Sequence, residues 1–180
     1  MGMRKEDGTW TDYAKQIVWS KAPLADPTKS DGFRFDPCKA LMRWDDYGNR
    51  DSAYGWEIDH VVPEKFLEDN KVPRDLIDHI DNLRPMHWNN NIKKSDDFPK
   101  YNANQTMVGG VNYNNAYREY CINHDLINVV RKLFADYIEI SQPTILCQWQ
   151  VLIDRDITPT WKIPATFYDE IVTQSIHDLD

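Results

Sequence analysis

The chain reads as an α+β protein, and three features of its text predict this. Aromatic and β-branched runs broken by turn residues fill the stretch from Phe33 to Val62, and a short strand passes into a short helix between Asn82 and Asp97. Residues 124–138 then carry apolar side chains at helical spacing. At 180 residues and 21.2 kDa there is room for one sizeable domain, or for a small domain with an elaborated extension. Hydrophobic content of 41% with seven tryptophans places it among globular chains rather than disordered ones.

The elements follow in order. TWTDYAKQIVWSKA, residues 9–22, offers Thr or Asp as an N-cap, sets Tyr13, Ile17 and Val18 along one face, and is stopped by APLADP, so it predicts a helix. From Phe33, FRFDPCKALMRWDDYGNRDSAYGWEIDHVV predicts strands joined by a tight turn at Tyr47, Gly48 and Asn49. NLRPMHWNNNIKKSDD predicts a strand running into a helix that begins near Pro85 to His87. On that helix Trp88 and Ile92 share a packing face, while His87, Asn91 and Lys94 share a polar one. The Asn-rich YNANQTMVGGVNYNNAY predicts a surface loop. DLINVVRKLFADYI predicts an amphipathic helix capped by Asn123 or Asp125. TILCQWQVLID reads as a strand and FYDEIVTQSIHDL as a closing helix.

The opening MGMRKEDG lacks the apolar stretch of a secretory signal, and the apolar-rich run TILCQWQVLI is too short to span a bilayer. A soluble, cytoplasmic protein is expected, with no membrane partner. Glu6 stands where a myristoylation signal wants Ser or Thr. Cys38, Cys121 and Cys147 are odd in number and widely spaced, which argues against a disulfide framework or a thiolate zinc site.

Net charge is -8, which argues against a broad basic surface for nucleic acid. The balance is 0 over residues 1–36, -3 over 37–100 and -5 over 101–180, so a polyanion is expected to meet the first hundred residues. Few phosphate contacts, and a shallow salt dependence of binding, follow from this balance.

The chemistry concentrates in EIDHVVP. In a regular strand Asp59 and His60 point to opposite faces, so both serve one site only if the strand ends or bulges there, and Pro63 suggests an ending. Asp59 offers hard carboxylate oxygen suited to Mg²⁺; His60 has the side-chain chemistry of a general base near neutral pH. Behind them stand Asn82, then Asn91 nine residues later, then Lys94. Taken singly, each has a bland reading: a turn carboxylate, an Asx-turn former, exposed helix residues, a core histidine. Their order together is what the bland readings explain poorly. The seven tryptophans read as core anchors rather than base-stacking platforms.

In this order of residues the segment GWEIDHVVP through NLRPMHWNNNIKKSD resembles the HNH endonucleases of the ββα-metal (His-Me finger) type, and the resemblance extends over about residues 10–98. It implies an HNH nuclease domain over residues 1–100 with an N-terminal helix and lead-in strands. Residues 101–180 are then a mixed, mainly helical extension packed on it or docking a protein partner, including a second copy. It also implies a divalent-metal-dependent endonuclease on DNA, with Mg²⁺ or another divalent cation such as Mn²⁺. Carried over by position, the resemblance makes His60 the base that activates water, Asn82 the residue that holds the imidazole, and Asp59 and Asn91 the metal ligands. Lys94, with Arg84, His87 and Lys93, stands at phosphate-contact positions, and His87 alternatively packs. Relatives with a structural zinc carry cysteines where this chain has His87 and Asn90, so no zinc is expected. The rival reading is a nucleic-acid-binding or assembly protein that uses the same scaffold without cutting.

Overall fold

The structure, a computed structural model, describes residues 2–26 and 32–141. Among them are five α-helices and six strands, the strands forming three separate antiparallel pairs. The strand and closing helix expected beyond residue 143 lie outside the described residues. No helix among the described residues is long and apolar enough to cross a membrane.

Helix α1 (Asp12–Trp19) is capped by Thr11, whose side chain accepts from the Ala14 amide. Its buried face is Ala14, Val18 and Trp19, while Tyr13 is 43% exposed. The expected stripe through Tyr13 is therefore displaced, because the Trp19 indole enters an aromatic cluster 4.6 Å from Trp56 and 5.8 Å from Trp44.

Strands β1 (Phe33–Phe35) and β2 (Leu41–Arg43) pair across the turn DPCKA. The turn at Gly48 is present, with φ 71°, yet it does not join two paired strands. A 3₁₀ turn (Trp44–Asp46) leads away from β2, and the Asp46 carboxylate ties Arg43 and Ser52. Gly55 then has to be glycine on spatial grounds: a Cβ there would lie 1.9 Å from the Asn49 carbonyl oxygen and 2.8 Å from the Trp88 ring.

Strand β3 (Trp56–His60) pairs with β4 (Leu83–His87), and α4 (Trp88–Lys94) follows β4 directly. The long charged connection between the strands folds into two short helices, α2 (Glu64–Asp69) and α3 (Arg74–Ile77), and a 3₁₀ turn (Ile80–Asn82). On α4 the expected faces are inverted: Ile92 is 45% exposed, whereas Asn90 and Lys94 are buried. The polar stripe faces inward because β3 and the DPCKA turn present carboxylates to it.

The Asn-rich passage is a correction to the expected loop. It forms a hairpin of β5 (Lys100–Val108) and β6 (Val111–Cys121), turned by Gly109 and Gly110 at φ 61° and 88°. Positive φ at both central residues matches the twist of a hairpin. Tyr101 and Ala103 are buried in the core, and Asn102 between them is exposed.

Helix α5 (His124–Leu133) is capped by Asn123, which accepts from the Leu126 amide. Ile127, Val130 and Phe134 share one apolar cluster with Val61, Val62, Leu67, Ile77, Met86 and Tyr101, so the core continues through residue 100 without a break. A second cluster gathers Val18, Trp19, Met42, Trp56, Ile58 and Leu83 on the other side of the β3–β4 pair. Cys38 is a free, buried thiol.

Candidate active site

The β3–β4 register runs without a bulge through the end of β3, pairing Asp59 with Arg84 and His60 with Leu83. Adjacent side chains of a regular strand leave on opposite faces. Glu57 and Asp59 therefore look toward α4, and Ile58 and His60 toward α1 and the N-terminal segment.

On the α4 side, Asp59 is 4% exposed and both of its oxygens are engaged. Arg84 Nε donates to Oδ2 at 2.7 Å, and Lys94 Nζ lies 3.1 Å from Oδ1. The Lys94 ammonium also donates to the carbonyl oxygens of His60, at 3.0 Å, and Ser95, at 3.4 Å. One carboxylate and two cations leave this buried group with a formal charge of +1. Burial pulls the Lys94 pKa below its ordinary value, and the charge of Asp59 offsets part of that. One turn earlier on α4, Asn91 Nδ2 donates to Glu57 Oε2 at 2.9 Å, and Glu57 Oε1 accepts from Arg50.

On the other side, His60 Nε2 lies 3.0 Å from Asp78 Oδ1. An ionised carboxylate only accepts, so Nε2 carries the proton and Nδ1 is left as the basic nitrogen. Nδ1 faces Glu64 Oε2 at 3.6 Å, and the Trp10 ring lies 5.8 Å from the imidazole. Asp78 also accepts from Arg4 and Arg74. Burial works to raise the Asp78 pKa, but the hydrogen bonds from His60, Arg4 and Arg74 outweigh it and hold the carboxyl well below the usual range. The His60 side chain is 10% exposed.

Asn82 is fully buried behind His60. Its Oδ1 accepts from the Val62 amide, its Nδ2 donates to the Val62 and Ile77 carbonyls, and its own carbonyl accepts from the Val61 amide. It thus clasps both ends of the long connection just past the histidine.

The remaining candidates are placed as follows. Arg84 and Lys94 are buried on Asp59 rather than open to solvent. Lys93 is half-buried on α4. His87 is packed: Nε2 meets the Ala53 carbonyl at 3.1 Å, Nδ1 accepts from the Asn89 amide, and burial lowers its pKa. Asn90 donates to Asp36 Oδ2 and to the Gln105 carbonyl, and accepts from the Asn104 and Gln105 amides. Asp36 in turn accepts from the amides of Cys38, Ala40 and His87. Burial pushes its carboxyl up to about 6 against those bonds. This knot ties the DPCKA turn, α4 and β5 together.

The structure thus brings Asp59, Lys94 and Arg84 into contact and sets Glu57 and Asn91 beside them. It does not bring the His60 ring to them. Two residues were missed from the sequence. Glu57 was legible, since it sits two residues before Asp59 on the same strand face; Asp78 had no signal in its charged surroundings.

Among the described residues no three His, Cys, Asp or Glu side chains are grouped to hold a metal. The donors on the α4 side are hard oxygens, which suits Mg²⁺ in kind. As arranged they do not fit one, because the only carboxylate ligand assigned by position, Asp59, is saturated by two cations in a buried setting. Comparisons with protein-family models, curated proteins and solved structures find no match.

Proposed function

We propose that this protein is an endonuclease of the HNH type that hydrolyses phosphodiester bonds in DNA, with His60 as its general base. The observation that carries the reading is the His60–Asp78 pair. A carboxylate that fixes the imidazole tautomer and orients the ring is how a histidine is prepared to take a proton from water. The order of Asp59 and His60 on β3, Asn82 in the turn just before β4, and Asn91 and Lys94 on the following helix supports it. Here Nδ1 receives the proton, and Asp78 stabilises the resulting imidazolium. Asn82 keeps the backbone behind the ring in place.

A divalent cation, when bound, would supply charge neutralisation on the phosphate. No step is drawn through it, because Asp59 and Asn91 are engaged elsewhere. On this reading the observed arrangement is a closed one. The N-terminal cover of Arg4 and Trp10 has to part for a phosphodiester to reach His60.

The rival, a scaffold that binds nucleic acid without cutting, draws on a specific observation of its own: the regular register keeps His60 and Asp59 on opposite faces. Supercoiled plasmid separates the two. Incubation with Mg²⁺ should relax or linearise it, chelator should stop this, and His60→Ala should lower the rate by about 10² or more while binding persists. A wild-type protein that binds plasmid yet leaves it intact sinks the nuclease reading.

A further inference from the structure

The chain is acidic, with 29 acidic against 21 basic side chains, but one of its cavities has the opposite character. This cavity, of about 880 Å³, is lined by Lys21, Lys39, Arg84 and Arg118 and by a single acid, Asp36. Its walls come from both sides of residue 100, which is why no local charge count reveals it. Aromatic rings stand among the cations. Tyr101 and Tyr120 lie 6.0 Å apart and nearly parallel, with the Arg84 guanidinium 5.1 Å from the first and that of Arg118 5.9 Å from the second. Phe35 and Tyr120 are half-buried on the wall.

We propose that this cavity holds a nucleotide of a single DNA strand, its base against Tyr120 and Phe35 and its phosphate against Lys39 and Arg118. Interleaved rings and cations are what an unstacked strand needs: π-faces for the bases and positive charge along the backbone. A duplex keeps its bases inside the stack and cannot offer one to a concave wall. The volume lies in the range of cavities that enclose small ligands, about 300 to 1,000 Å³. Lys39 sits at the lip in the left-handed region, at φ 64°, where a side chain other than glycine is strained. Its carbonyl is held there by the Met107 amide. The assignment rests on the nucleic-acid reading for its choice of ligand and requires no cleavage.

Binding of a labelled oligothymidylate of about eight nucleotides to the full chain, followed by fluorescence anisotropy in chelator at several salt concentrations, tests it. Lys39→Gly with Arg118→Ala removes both charges at exposed positions and relieves the strain at residue 39. That variant should bind about tenfold or more weakly, with its log-log salt slope flatter by about 1.4. Tyr120→Ala should lose about fivefold or more. Lys132→Ala, on exposed α5, should change nothing. Retention of wild-type affinity and slope by the double variant, failure of the wild type to bind, or equal affinity for thymidine monophosphate overturns the proposal. Plasmid cutting without strand binding defeats this inference alone; strand binding without cutting defeats the nuclease reading alone.

Discussion

The two faces of β3 handle the same chemistry, a carboxylate meeting a cationic partner, in opposite ways. Toward α4, Asp59 is enclosed with Arg84 and Lys94, each with a side chain under 10% exposed. Toward the N-terminus, Asp78 is equally buried, but Arg4 and Arg74, which hold it, have side chains 24% and 44% exposed. The difference separates a charge group sealed into the fold from one whose cationic partners reach solvent. Desolvated charge is stable only while every partner remains, whereas partly exposed partners can leave and be replaced by water.

The comparison is broken most directly by removing the central anion. Asp59→Ala leaves two buried cations without a partner, a change expected to cost about 3 to 5 kcal/mol. His60→Ala removes one hydrogen bond to a carboxylate that retains two arginines, and should cost about 1 to 2 kcal/mol. Urea unfolding of both variants checks this. Equal losses would mean that the α4 face is no more closed than the other.

A smaller effect sharpens the same point. Lys94→Met leaves the neutral pair Asp59–Arg84 and deprives the His60 carbonyl of its donor, so the loss should be about 1 to 2 kcal/mol, below that of Asp59→Ala. If thermal melts show Lys94→Met to be as damaging as Asp59→Ala, the accounting of charge in this group is wrong.

The same contrast explains what was readable in the sequence. Local periodicity found α1, α5 with its Asn123 cap, and the passage from β4 into α4, because each is set by neighbours within a turn or two. Which side of α4 faces inward was not readable. Spacing defines a stripe, but only the carboxylates of Asp36, Glu57 and Asp59 arriving from other elements make a stripe of Asn and Lys the buried one. The hairpin after Lys100 was hidden by its asparagines, although Gly109 and Gly110 between alternating residues carried the turn signal. Of the candidate site, Asp59, Asn82 and Asn91 were legible as positions. Their partners were not, since Asp78 meets His60 across 18 residues and Arg4 meets Asp78 across 74. The basic cavity is the extreme case, since its lining runs from Lys21 to Leu126 along the chain.

The smallest effect expected is one of pH, and it isolates the exposed face. The Asp78 carboxyl is held below its unfolded value near 3.9, so the folded state releases this proton more readily than the unfolded state. Its contribution to stability is therefore complete above about pH 4 and is lost as pH falls further. Asp78→Asn removes that dependence: the variant should be less stable than wild type at pH 7, and the gap should narrow below pH 4. A gap between Asp78→Asn and wild type that stays constant from pH 7 to pH 3 would show that Arg4 and Arg74 do not hold this carboxylate, and the imidazole of His60 would lose the partner on which its proposed role as a base depends.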